Sequence, residues 1–199
     1  MERKLIIAGI GGQGVIFVTK VLSQAALARG ESVMASENHG MSQRGGSVMS
    51  YVKVGGSEAP LIRRGTADAL IAFDRVEAIR NLPFMRAGGK VCVNSLNGLE
   101  PAVMPRLNEL GINVHTLNAD ACAKELGAPA VANLVVLGFA AAHQALGLTL
   151  DDLKEAVKTL GPAKAVEMNL KALEAGARKA ALTPDPSPIR NNTEQERGE

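Results

Sequence analysis

A chain of 199 residues, 46% of them hydrophobic, is long enough to bury one α/β core and short for two. Its 22 lysines and arginines against 20 acids leave a formal charge of +2, and aromatics make up 3%, which argues against a nucleic-acid binder, since that function needs a concentrated basic face and stacking platforms. Cys92 and Cys122 have no close-spaced partner, so this chain alone builds neither a zinc site nor an iron–sulfur cluster, and both read as buried thiols in a reducing cytosol. The opening Met1-Glu2-Arg3-Lys4 precedes an apolar run too short for a secretory signal. The longest apolar window, Ala130 to Leu148, contains Asn133, Gly138, His143 and Gln144 and reads as a core helix rather than a membrane span.

From the N-terminus, Lys4 to Ala8 predicts a buried strand and Gly9-Ile10-Gly11-Gly12-Gln13-Gly14 a turn. Val15 to Arg29 predicts a helix whose Val18, Val21, Leu22, Ala25 and Ala26 form one apolar stripe, stopped by Gly30. A strand over Ser32 to Ser36, ending at Glu37, completes a βαβ unit with a parallel crossover. The turn brings unpaired helix N-terminal N–H groups to one surface, where they suit an anion. The spacing Gly9-x-Gly11-x-x-Gly14, with Glu37 near the place of a ribose-binding acid, matches the dinucleotide fingerprint. The same glycines equally serve a tight turn and close helix–strand packing with no nucleotide. Gln13 puts a bulky amide where the loop would hug a pyrophosphate, and that amide could instead bond a partner's backbone.

Glu37 to Ser47 crowds Glu37, His39, Ser42, Gln43, Arg44 and Ser47 among Gly40, Gly45 and Gly46, and loops of this kind carry function more often than core. Arg44 ahead of two glycines would hold a guanidinium beside free backbone N–H groups, a geometry suited to a carboxylate or phosphate. His39 reads either as a donor there or as a structural residue. Ser47 to Val54 alternates and predicts a half-exposed antiparallel strand before a Gly55-Gly56-Ser57 turn. Asp68 to Phe73 predicts a central buried strand whose C-terminal end lies near both glycine loops, with Asp74 capping a helix from Val76 to Leu82.

Gly88-Gly89 turns into a strand over Lys90 to Asn94, a helix ends over Leu107 to Gly111, and Ile112 to His115 starts a last strand. Asn118 to Gly127 and Ala130 to Leu146 predict helices, the second apolar nearly all round and therefore sandwiched. Ala163 to Ala181 predicts a helix with Glu167–Lys171 and Glu174–Arg178 pairs on a solvated face and Val166, Leu170 and Leu173 on the other. The expectation is an α/β fold: a single Rossmann-like domain over 1–182 with a mostly parallel sheet and helices on both faces. A proline-punctuated tail, 183–199, is expected to be disordered.

Three stretches occur together in this order: Gly9 to Gly14; then Ser36-Glu37-Asn38-His39-Gly40-Met41-Ser42-Gln43-Arg44-Gly45-Gly46-Ser47-Val48; then Pro60-Leu61-Ile62 with Ala67-Asp68-Ala69-Leu70. On these, roughly Lys4 to Leu182 resembles the small subunit of 2-oxoacid:ferredoxin oxidoreductases, nearest the indolepyruvate branch. The resemblance implies an enzyme shared between chains that oxidatively decarboxylates a 2-oxoacid on thiamine diphosphate, passes electrons through iron–sulfur clusters to ferredoxin and releases an acyl-CoA. This chain has no Gly-Asp-Gly upstream of an Asn-Asn pair to hold a metal-bound diphosphate, and Asn191-Asn192 has no such partner.

The resemblance therefore implies a larger partner subunit bearing the thiamine diphosphate, magnesium and 4Fe–4S clusters, in the cytoplasm. This chain would complete the active site with no catalytic residue, metal or cofactor of its own. Its contact residues would be Gly9, Gly11, Gly12, Gln13, Gly14, His39, Arg44, Gly45, Gly46 and Ser47, meeting coenzyme A phosphates or the partner chain. Two other classes stay open: a stand-alone Rossmann-type nucleotide-binding protein, and a non-catalytic interaction module.

Overall fold

In the computed structural model, residues 2–39, 45–56, 59–161 and 163–182 are described. Strand β1 (Arg3–Ile10) leads through the first glycine turn into helix α1 (Val15–Ala28) and then strand β2 (Val33–His39). Strand β3 (Ser47–Val54) pairs antiparallel with both, so that Val52 lies opposite Leu5 on one side and Ala35 on the other. This corrects the βαβ expectation. β1 and β2 run in the same direction, but β3 sits between them.

β3 is also buried from Ser50 to Val54 rather than half exposed. An interior strand has cover on both faces: Val52 and Val54 join the core beneath α1, and Tyr51 joins the opposite core, where its ring meets Phe84 edge-on.

On the other side of β1, strands β4 (Ala67–Ala72), β5 (Met85–Asn94) and β6 (Asn113–Leu117) extend the sheet in parallel, in the order β2-β3-β1-β4-β5-β6. β5 begins ahead of Gly88-Gly89, so the pair lies inside a strand and not before one. The register against β4 shifts between Ala67 and Ala69. A Cβ on Gly89 would stand 3.1 Å from the carbonyl oxygens of Arg86 and Asp68, which is why that irregularity needs glycine.

Helices α2 (Arg75–Asn81) and α3 (Met104–Glu109) cover one face, their Ala78 and Leu107 packed with Ile6, Leu70 and Val91. On the other face lie α1, α4 (Ala119–Glu125), α5 (Ala132–Ala142), α6 (Leu150–Leu160) and α7 (Ala163–Leu182). As its apolarity predicts, α5 is buried from Asn133 to Ala141, between the sheet and α7. The α5–α7 crossing is a backbone contact: a Cβ on Gly138 would strike the Leu173 carbonyl, and one on Gly176 the Val135 carbonyl. α5 stops at Ala142, short of Leu146, because Gln144 turns left-handed at φ 54° and the N–H groups of Gln144 and Ala145 bond back to Ala141 and Ala140.

Helix α6 is absent from the sequence reading. Its signal is a capping box: Thr149 Oγ1 accepts from the Asp152 N–H at 3.2 Å, and Asp152 Oδ2 accepts from the Thr149 N–H at 2.8 Å. Burial acts to raise the Asp152 carboxyl, but the Thr149 hydrogen bonds and the Arg29 charge outweigh it and hold Asp152 below the ordinary carboxylate value. On α7 the pairs Glu167–Lys171 and Glu174–Arg178 both form, at 2.6 and 4.0 Å.

Cys92 and Cys122 are both buried, and burial pushes the Cys92 thiol up to about 12 and raises that of Cys122. No helix among the described residues is long and apolar enough to cross a membrane. The disorder expected for 183–199, the Ser57 end of the second turn and the Gly40 to Arg44 part of the second glycine loop lie outside the described residues.

Candidate functional site

After β1 the chain leaves over one face through α1, and after β4 over the other through α2, so the crossovers diverge between β1 and β4. In an open sheet such a divergence opens a crevice at the carboxyl ends of the strands, where ligands bind. The Gly9 to Gly14 turn and the Phe73-Asp74 end of β4 form its two lips.

Within the first turn the glycines do different work. A Cβ on Gly9 would come within 3.2 Å of the Phe73 ring, and one on Gly14 would run into the Asn133 carboxamide, so these two let neighbours close in. Gly12, at φ 101° with open space around it, holds a backbone shape and keeps the loop surface bare. The Gln13 side chain folds inward: its Oε1 accepts from the Ile10 N–H at 2.7 Å, and its Nε2 donates to the Phe73 carbonyl at 3.4 Å. The amide thus closes its own loop.

The second loop does meet the first. Gly11 N–H donates to the Gly46 carbonyl at 2.8 Å, and a Cβ on Gly11 would lie 3.4 Å from the Gly45 nitrogen. Ser47 opens β3 opposite Ile10, and His39 ends β2 opposite Val48. The Ser47 hydroxyl donates to Glu77 Oε2 at 2.5 Å, and the other oxygen of that buried carboxylate meets Arg80 at 3.3 Å. Ser47 therefore anchors the loop to α2 and does not offer its hydroxyl outward as an anion ligand would. Arg44 lies outside the described residues.

Between the lips is a polar cleft of about 340 Å³ lined by Gln13, Asp74, Asn94, Asn118 and Asp120, next to a smaller hollow of about 150 Å³ bounded by Gly12 and Asn133. Its walls are bonded to one another. Asp74 caps α2, accepting from Val76 and Glu77 at 2.8 and 3.1 Å, as the sequence predicts. Asn94 donates to the Phe73 carbonyl at 3.3 Å and to Asp120 at 2.9 Å, and accepts from the Ala119 N–H at 2.8 Å, so one side chain ties β4, β5 and α4 together. Asn118 caps α4 through the Ala121 N–H at 2.9 Å.

Two acids, Asp74 and Asp120, face one cation, Arg75, which pairs with Glu100 at 2.9 Å. Among the described residues the cleft is net acidic. No cluster of three or more His, Cys, Asp or Glu suited to a metal occurs among those residues either. What the arrangement supplies is carboxamides and carboxylates bonded to one another on a braced rim. Ile16 and Val76, in the first turns of α1 and α2, and Leu96 after β5 are exposed apolar side chains at this same edge.

Sequence reasoning missed Glu77, Asn94, Asn118, Asp120 and Asn133. Asn94 and Asn118 could have been found from one signal, a carboxamide at the end of an apolar strand run.

Comparison with known proteins matches residues 4–179 to the family described as pyruvate ferredoxin/flavodoxin oxidoreductase. The indolepyruvate oxidoreductase subunit IorB of Archaeoglobus fulgidus is 32% identical over 193 residues, covering 90% of this chain and 96% of its own length. The 2-oxoglutarate synthase subunit KorC of Methanothermobacter marburgensis is 30% identical over 179 residues, 88% of this chain and 95% of its own. In structure, the gamma subunit of a keto/oxoacid ferredoxin oxidoreductase from Geobacter sulfurreducens superposes with a TM-score of 0.73 at 26% identity, over 91% of this chain and 99% of its own.

Proposed function

Because this chain belongs to the pyruvate ferredoxin/flavodoxin oxidoreductase family, as a small subunit of the 2-oxoacid:ferredoxin oxidoreductases, we propose that it completes an enzyme whose larger subunit carries thiamine diphosphate, magnesium and iron–sulfur clusters. That enzyme oxidatively decarboxylates an arylpyruvate, indolepyruvate foremost, passes the electrons to ferredoxin and releases an acyl-CoA. The name of the Archaeoglobus relative supports the choice of indolepyruvate. The reading takes 1–182 as the folded unit, 183–199 as a tail outside it, and the cytoplasm as its compartment.

The observation that carries the proposal is the Gly11–Gly46 bond, which joins both glycine bends into one rim beside a cleft whose polar side chains are bonded to one another. The chain's own donor set does not fit the redox groups. Cys92 is buried in β5 and Cys122 on α4, and two separated cysteines do not make the set of four that a cluster needs.

At the rim, Asp74, Asp120 and the Glu77 carboxylate behind Ser47 work against phosphate groups, while the exposed Ile16, Val76 and Leu96 favour a protein surface. Gly9, Gly11, Gly12, Gln13, Gly14, Gly45, Gly46 and Ser47 then shape a docking edge for the larger subunit. Arg44, five residues after His39, is then the cation proposed to meet coenzyme A. The stand-alone nucleotide reading is disfavoured by β3, which separates the two strands that a dinucleotide fold keeps side by side.

The test is to isolate the tagged chain from its native host. A much longer, cysteine-rich companion bearing thiamine diphosphate is expected, and a chain recovered alone with NAD or FAD would overturn the reading. In the assembled enzyme, Arg44→Ala should weaken coenzyme A at least about tenfold. Unchanged affinity removes Arg44 from that role and leaves the docking edge standing.

A further inference from the structure

We infer that the amino-terminal edge of the sheet, at the far end of the strands from the glycine loops, carries a second site, for a small carboxylate with a compact apolar body. A cleft of about 670 Å³ opens there between the starts of β1, β4 and β5 and the turn that joins α5 to α6. That volume lies within the range of about 300–1,000 Å³ usual for small-molecule pockets.

Three cations line it, Arg3, Arg86 and Lys90, against one acid, Asp68. Asp68 is already matched: its Oδ1 accepts from Arg86 Nε at 2.7 Å and its Oδ2 from the Lys4 N–H at 2.8 Å. Lys90 donates to the His143 carbonyl at 2.7 Å, which uses one of its three protons. No hydrogen bond or ion pair of the Arg3 guanidinium occurs among the described residues, so its planar fork is open to a carboxylate.

The cleft thus holds an excess of two positive charges over a floor made by Ala141, Ala145 and Leu148, all buried apolar groups. Charge above and hydrocarbon below call for a ligand with the same two parts. Gln144, on the wall, occupies the left-handed position at the end of α5 that glycine would take without strain, and so keeps a carboxamide at the cleft. This site is independent of the proposed subunit role.

The experiment is calorimetric titration of the full chain, and of the complex isolated with it, using benzoate and inorganic phosphate as probes. Benzoate should bind at least about tenfold more tightly than phosphate, and Arg3→Gln should weaken benzoate about tenfold. Arg106→Gln, which loses only an exposed pair with Glu109, should leave it unchanged. Equal melting curves for the two variants without ligand establish that Arg3→Gln folds. No benzoate binding, benzoate no tighter than phosphate, or benzoate binding that survives Arg3→Gln would each overturn the site.

Discussion

The two ends of the sheet are built on opposite principles. At the carboxyl edge nearly every polar side chain around the cleft is bonded to a neighbour, the net charge is acidic, and the backbone is bared by glycine. At the amino edge the floor is apolar, cations outnumber acids, and one guanidinium makes no bond among the described residues. A braced surface with its hydrogen bonds already made suits docking of a preformed partner, because little order remains to be imposed on contact. An open cation over hydrocarbon suits a small ligand that supplies the missing group. On the two proposals above, one fold would present two kinds of recognition at its two ends.

The strongest way to break this contrast is at Gly14. Gly14→Val would force a branched side chain into φ 81° and into Asn133, and should cost about 3 kcal/mol or more of stability, read by thermal or denaturant unfolding. Next, Asn94→Ala removes the brace among β4, β5 and α4 and strands the Ala119 N–H. A loss of about 2 kcal/mol is expected, with faster amide exchange at Ala119.

The smallest effect is a pH response at the amino edge. The folded chain holds Asp152 below its ordinary value of 3.8, so its contribution is fully present above that pH and fades as the pH falls through the lower folded value. Asp152→Asn should therefore reduce stability at neutral pH and flatten the acid limb of the stability curve below pH 3.8, measured by unfolding at a series of pH values.

Much of the carboxyl edge was legible because its signals are local. An apolar run ending in glycines gives β1, turn and α1 in one reading, and Asp74 directly after a buried strand announces its own cap. The meeting of the two glycine bends followed from the order of the strands' ends. What local pattern does not carry is pairing. Val48, Ser50, Val52 and Val54 alternate with Met49, Tyr51 and Lys53 as an exposed strand would, yet β3 lies inside the sheet with Lys53 buried, because its neighbours come from residues 3–10 and 33–39.

Gly88-Gly89 misled for the same reason: a glycine pair reads as a turn, and only the clash with Asp68 across the sheet reveals a strand irregularity. Asn94 and Asp120, 26 residues apart, become partners only after β6 has closed the sheet. The amino-edge cleft draws on residues from Arg3 to Ala177 and has no sequence motif at all.

The bare crossing of α5 and α7 sets a timetable for biosynthesis. With Gly138 against the Leu173 backbone and Gly176 against that of Val135, α7 seals the outer flank of α5 at backbone contact. The nascent domain must therefore wait, with a greasy helix uncovered, until the ribosome has delivered residues as late as Gly176. During that interval it exposes apolar surface of the kind that chaperones bind.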